Sequence, residues 1–141
     1  MMTFRIRTAL RWLLAAFYAF AGFAHLAGPQ PFLRIMPHWV PWPDMVVLLT
    51  GVAELLGAAG LIQPFDTRLR ILAGWGLAIY AVCVFPANIN HFAMDMHKSD
   101  HGFGLVYHVP RMFAQPVLVW LALWVSGAIE WPRRNKALPP S

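Results

Sequence analysis

Acidic residues are scarce in this chain and cysteine is nearly absent. Six Asp and Glu stand against eleven Lys and Arg, and the one cysteine, Cys83, lies inside an apolar run. A single thiol excludes an intramolecular disulfide and a C-x-x-C redox pair, and leaves a small core or lipid-facing residue as its plain reading. No G-x-G-x-x-G, P-loop, H-E-x-x-H or serine-nucleophile motif occurs, so the common nucleotide-binding and zinc-hydrolase signatures are missing. Charge of either sign is sparse: 12% of residues are charged and 59% are hydrophobic, against about 25% and about 45–50% in soluble domains. This is the composition of a membrane protein. The net charge of +5 is carried by short basic clusters between apolar runs and forms no basic face. It therefore reads as topology-setting charge beside a bilayer, and no nucleic-acid partner is expected.

Apolar runs long enough to span, which requires roughly 20 residues, place four helices at about residues 8–27, 44–63, 70–87 and 109–128. Together they make one transmembrane domain over residues 1–132, followed by a disordered cytoplasmic tail at 133–141. The basic start with Arg5, Arg7 and Arg11, followed by an apolar run, also has the form of a secretory signal peptide; its cleavage would leave three spans and remove His25. Between the first two spans, the proline-rich stretch Gly28–Pro43 carries Phe32, Ile35 and Met36 at helical spacing, which predicts a short amphipathic piece lying in the interface. Asp44 is positioned to cap the second span. Pro86 is expected to kink or stop the third, and Asp95–Tyr107 reads as a polar loop. Arg5, Arg7, Arg11, Arg68, Arg70, Arg133, Arg134 and Lys136 share one side, against Arg34, Lys98 and Arg111 on the other. The positive-inside rule then puts both termini in the cytoplasm. The fold class expected is all-α: a polytopic membrane protein built as an up-down four-helix bundle. All six histidines, His25, His38, His91, His97, His101 and His108, fall at its outer side.

Within that frame Glu54 is the anomaly. It sits inside the apolar run Met45–Ile62, about 15 Å down the second helix at about 1.5 Å per residue, and a carboxylate at that depth normally meets a partner or a wet cavity. His25 closes the first helix, Asn88 and His91 close the third, Arg111 opens the fourth, and Gln115 lies one turn further in. His25, Glu54, Asn88, Arg111 and Gln115 are the expected lining of an outward-facing pocket with Glu54 at its floor. Three readings of that set stand side by side: an interhelical polar clamp, a pocket for a small hydrophobic ligand such as a quinone, and a haem or metal site. His25 and His91 are weak metal candidates only, because the histidine spacing matches no zinc template, and no cofactor is required. Gly51, Gly57 and Gly60, with Gly74 and Gly76, give the second and third helices small faces for close packing.

The ordered motifs A-G-F-A-H-L with His25, I-M-P-H-W-V-P-W-P, T-G-V-A-E-L-L-G-A-A-G-L-I with Glu54, V-F-P-A-N-I-N with Asn88, and R-M-F-A-Q-P-V-L-V-W with Arg111 and Gln115 resemble the DoxX-like family. The resemblance runs from about residue 8 to residue 125. It implies a small bacterial inner-membrane protein of four helices, some relatives being the membrane subunit of a thiosulfate:quinone oxidoreductase and others associating with redox or oxidative-stress proteins. A proline commonly follows the fourth-helix arginine closely in that family and does not here, and the histidine-bearing loop before Arg111 is longer. The expectation is a redox-associated accessory subunit rather than a self-sufficient enzyme, with the bilayer and a soluble or membrane redox protein as partners. The alternatives are a non-enzymatic membrane assembly or transport factor and a haem- or metal-binding membrane protein.

Overall fold

The computed structural model describes residues 2–130. It contains five helices: α1 (Met2–Ala27), α2 (Gln30–Arg34), α3 (Pro43–Ile62), α4 (Thr67–Met96) and α5 (Gly104–Ser126), and no strand among the described residues. All but α2 are long and apolar enough to cross a membrane. The architecture is an all-α, multi-pass membrane bundle. The expected tail at 133–141, with Arg133, Arg134 and Lys136, lies outside the described residues.

Helix ends depart from the sequence expectation in two places. Asp44 does not cap α3: Trp42 occupies the cap position at φ 46° and Pro43 opens the helix, leaving Asp44 in the first turn with no side-chain cap bond. Proline preset for the helical φ takes the position where its missing N–H matters least. At the other end of the helix pair, Gln63 Oε1 accepts from the Phe65 and Asp66 backbone N–H groups, and Asp66 Oδ1 accepts from Arg68 N–H to start α4.

Pro86 does not end α4, which continues ten residues further to Met96. The polar loop expected at 95–107 shrinks accordingly, and α5 begins at Gly104. Proline leaves the carbonyl four residues earlier without a helical donor, and in membrane helices a neighbouring side chain can repair the turn. Gln115 of α5 donates from Nε2 to the adjacent Ala81 carbonyl and so packs α5 against the turn without serving the carbonyl of Val82 that Pro86 frees.

Packing divides the bundle along its length. At the end holding the chain termini, Leu14, Ala15, Tyr18, Ala58, Leu61, Leu77, Ala78, Ala122 and Val125 form a continuous buried core from α1, α3, α4 and α5. The helices sort into two pairs: α1 and α3 approach closely toward the histidine-bearing end, where a Cβ on Gly22 would sit 2.7 Å from the Gly51 carbonyl oxygen, and α4 and α5 already do so at the terminal end, where one on Gly74 would sit 2.8 Å from the Ala122 carbonyl oxygen and collide with Ser126. Gly57 and Gly60 admit Leu77 and Ala73 of α4, whereas Gly76 faces open space and supports no helix contact. α1 and α5 touch only sparingly. The pairs thus join at the terminal end and separate toward the other, where α2 and the segment after it cover the gap.

Candidate functional site

The gap is a cavity of about 640 Å³, within the usual range of small-molecule sites. His25, Glu54, Asn88, Arg111 and Gln115 all line it. The structure distributes them over two walls rather than gathering them around Glu54.

The first wall is built by α1 and α3, with one residue from α4. Glu54 is 3% exposed, and Tyr80 of α4 donates its hydroxyl to Oε1 at 2.7 Å. His25 Nδ1 lies 2.8 Å from Oε2 and 2.9 Å from the Ala21 carbonyl oxygen. Only the Ala21 contact has good hydrogen-bond direction, and Oε2 has no properly formed bond despite its short distance. One ring N–H shared between two acceptors serves neither at full strength, and the Oε2 atom itself is sealed from the cavity. Beside it, the Tyr18 ring meets the Tyr80 ring edge-on with centroids 6.1 Å apart, and the buried Tyr18 hydroxyl has no partner. The His25 ring stacks on Phe32 of α2, centroids 3.7 Å apart.

α4 and α5 supply the second wall. Arg111 donates to Asn88 Oδ1 at 2.5 Å and to His91 Nδ1 at 2.8 Å; Asn88 Nδ2 in turn donates to Gln115 Oε1 at 3.1 Å. Arginine is an obligate donor, so His91 Nδ1 is the acceptor and its ring proton is on Nε2, facing Asp95 Oδ2 at 3.5 Å. Arg111 does not pair with Glu54. Its partners are His91 and Asn88, and the carboxylate it approaches through His91 is Asp95.

Asp95 is fully buried and anchors the loop between α4 and α5. Oδ2 accepts from His108 Nε2 at 3.0 Å and from Phe103 N–H at 3.1 Å, while Lys98 Nζ donates to Oδ1 at 2.6 Å. Gly102 passes at φ 53°, in the left-handed region, and a Cβ there would run into the Asp95 carboxylate. Ligand atoms of His91, Asp95 and His108 lie within 4.8 Å of one another, a donor set of the right type for a cation. The site does not fit one as arranged: both imidazole Nε2 protons point at the carboxylate, and Arg111 and Lys98 already supply two positive charges. His25, the other weak metal candidate, is on the far wall with Glu54.

Tyr18, Tyr80, Asp95 and His108 are site residues that the sequence reading did not single out. For Asp95 a signal existed, since His91 and Asp95 are four residues apart and share a helix face once α4 is allowed to continue past Pro86. His108 adjoins Arg111 in sequence by one helical turn. The tyrosines carry no comparable mark.

Together, fold and site define a multi-pass helical membrane protein with a largely apolar cavity, carrying two polar clusters, that opens toward one end of the bundle. The family described as Domain of unknown function (DUF8561) matches residues 14–126, and the chain belongs to it. No curated protein and no solved structure matches the chain.

Proposed function

We propose that this protein binds a quinone, or a ring-bearing hydrophobic molecule of similar size, in the cavity between the α1–α3 and α4–α5 pairs. The observation that carries the reading is the combination in one cavity of about 640 Å³ of apolar surface with an acid cluster on one wall and an arginine–amide cluster on the other. A quinone needs this combination: greasy walls for its ring and a few directed polar groups for its oxygens. The cover formed by Phe32, Met36 and Trp39 suits a ligand that arrives from the bilayer interface, where tryptophan is at home.

In this reading the protein is an accessory subunit in the bacterial inner membrane, with both termini cytoplasmic and the cavity facing outward. The basic residues Arg5, Arg7, Arg68 and Arg70 at the terminal end support that orientation. The resemblance to DoxX-like proteins supports a quinone-linked role beside a redox partner protein. Mass spectrometry of the protein purified natively tests this. Bound quinone is expected in the wild type and reduced at least several-fold in Glu54→Gln and Arg111→Ala; equal quinone content in all three proteins contradicts the proposal.

A further inference from the structure

We propose that Arg7, Arg11 and Arg70, at the end of the bundle that holds the chain termini, bind the phosphate of an anionic phospholipid. The inference is independent of the cavity and its ligand.

Arg7 and Arg11 are four residues apart and share a face of α1, and Arg70 stands in the first turn of α4. Arg7 and Arg70 both meet the close of α5. Arg7 lies over the Trp124 ring, 5.5 Å from its centroid, and a Cβ on Gly127 would sit 3.4 Å from its Nη2. Arg70 donates from Nε to the Ser126 carbonyl at 3.3 Å and from Nη2 to the Thr67 hydroxyl at 3.4 Å. The charges that act on Arg11 are those of Arg70 and Arg7, both of its own sign. All three arginines are half-buried. Among the described residues no Asp or Glu forms an ion pair with any of them, and residues 131–141 add no Asp or Glu.

Cations are ordinary company for the negative end of a helix, which accounts for Arg70 and Arg7 beside the end of α5. It does not account for Arg11, one turn further into α1, which makes no hydrogen bond among the described residues. Its Nε is enclosed, but its terminal nitrogens are not. Arg7 commits none of its N–H groups either, and Arg70 keeps Nη1. Three like charges are thus held together with open donors and no counter-charge, an arrangement that repels itself until an anion joins it. The guanidinium fork matches phosphate oxygens, and basic pockets between membrane helices are known receptors for phospholipid headgroups. A lipid suits the place better than free phosphate. Trp12 and Leu69, next to Arg11 and Arg70 in sequence, are 54% and 53% exposed and offer apolar surface to acyl chains.

Native mass spectrometry of the full chain in neutral detergent, with added phosphatidylglycerol or phosphatidylcholine, tests the proposal. Phosphatidylcholine carries the same phosphate shielded by its own cation. The wild type is expected to retain phosphatidylglycerol roughly tenfold more than phosphatidylcholine, and Arg11→Gln or Arg7→Gln to lower that preference roughly fivefold. Arg68→Gln removes an exposed charge outside the cluster and is expected to change it less than about twofold. Equal retention of the two lipids in the wild type overturns the proposal without needing any variant to fold. Equal effects of Arg11→Gln and Arg68→Gln also overturn it, because they would show a diffuse attraction to basic surface. Inorganic phosphate supplies the third arm: it is expected to leave lipid retention unchanged at millimolar concentration. Displacement of phosphatidylglycerol by inorganic phosphate overturns the lipid as the source of the phosphate.

Discussion

Tyr80 on α4 donates its hydroxyl to Glu54 on α3 at 2.7 Å, and this bond crosses the gap between the two helix pairs. It provides the buried carboxylate with its one well-directed donor and ties the pairs together just above the apolar core. Tyr80→Phe is therefore expected to lower stability by about 1 kcal/mol, the scale of interhelical hydrogen bonds in membranes. Tyr107→Phe serves as the control: its ring stays under Arg111, and no change beyond about 0.5 kcal/mol is expected. Thermal unfolding in detergent distinguishes them, and equal melting temperatures would mean that the Tyr80 bond contributes nothing.

Two glycines on one helix have opposite expectations. A Cβ at Gly74 would meet the backbone carbonyl of Ala122 at 2.8 Å, and a backbone oxygen cannot swing aside; at Gly76 nothing lies within 4 Å. Gly74→Ala is expected to destabilise by about 1–3 kcal/mol through overpacking. Gly76→Ala is expected to be neutral or to stabilise by roughly 0.5–1 kcal/mol through helix propensity. Folded yield and melting temperature of the two variants separate the cases.

How much of this was readable from the sequence follows from what each feature depends on. The four spans depend on the length of apolar runs, a property of the chain taken one residue after another, and each helix covers its expected span to within two residues, though α1 begins six residues earlier, α5 five residues earlier, and α4 runs nine residues further. The pairing of polar groups depends on helix rotation, which an apolar run does not reveal. Glu54 could be recognised as needing a partner, but nothing in the run around Tyr80 marks that tyrosine as the partner rather than Arg111. Tyr18 is hidden for the same reason, an aromatic among aromatics. Asp95 was lost through one local rule, that proline stops a helix. In a bundle where α5 packs along α4, that rule gave way to packing.

The loop over the cavity's second wall hangs on one carboxylate. Asp95 holds Phe103 N–H, His108 and Lys98 at once. Asp95→Asn would turn an amide N–H toward groups that are themselves donors, so residues 97–103 are expected to open. Limited proteolysis in that loop is expected to run roughly tenfold faster than in the wild type, as for a locally unfolded segment. Lys98 is half exposed, so Lys98→Ala is expected to change the rate less than about twofold. Equal effects of the two substitutions would contradict the anchoring role of Asp95.

The cover over the cavity is fastened by Asn90, whose Nδ2 donates to the Ile35 carbonyl at 2.8 Å from across the gap. Asn90 does not line the cavity, so its loss affects the cover rather than the ligand's own contacts. One hydrogen bond of about 1 kcal/mol corresponds to roughly a fivefold change in rate. Asn90→Ala is expected to speed dissociation of bound quinone about fivefold with a smaller change in association. Stopped-flow fluorescence, read from Trp39 at the cavity's edge in a protein whose other six tryptophans are replaced by phenylalanine, measures both rates.

Cys83 offers the most direct test of the cavity as a ligand site. It is the chain's one cysteine, it is exposed, and it lines the cavity, so alkylation at that thiol reports on occupancy without any substitution. Tetramethyl-benzoquinone and its quinol have no open ring position to react with the thiol themselves. The measurement is the rate of maleimide labelling of the wild-type protein in nanodiscs, with and without saturating tetramethyl-benzoquinone. The expected result is labelling slowed roughly tenfold or more by the ligand, as for a group covered in a filled pocket. An unchanged labelling rate at quinone concentrations that saturate binding would place the ligand elsewhere and contradict the cavity as its site.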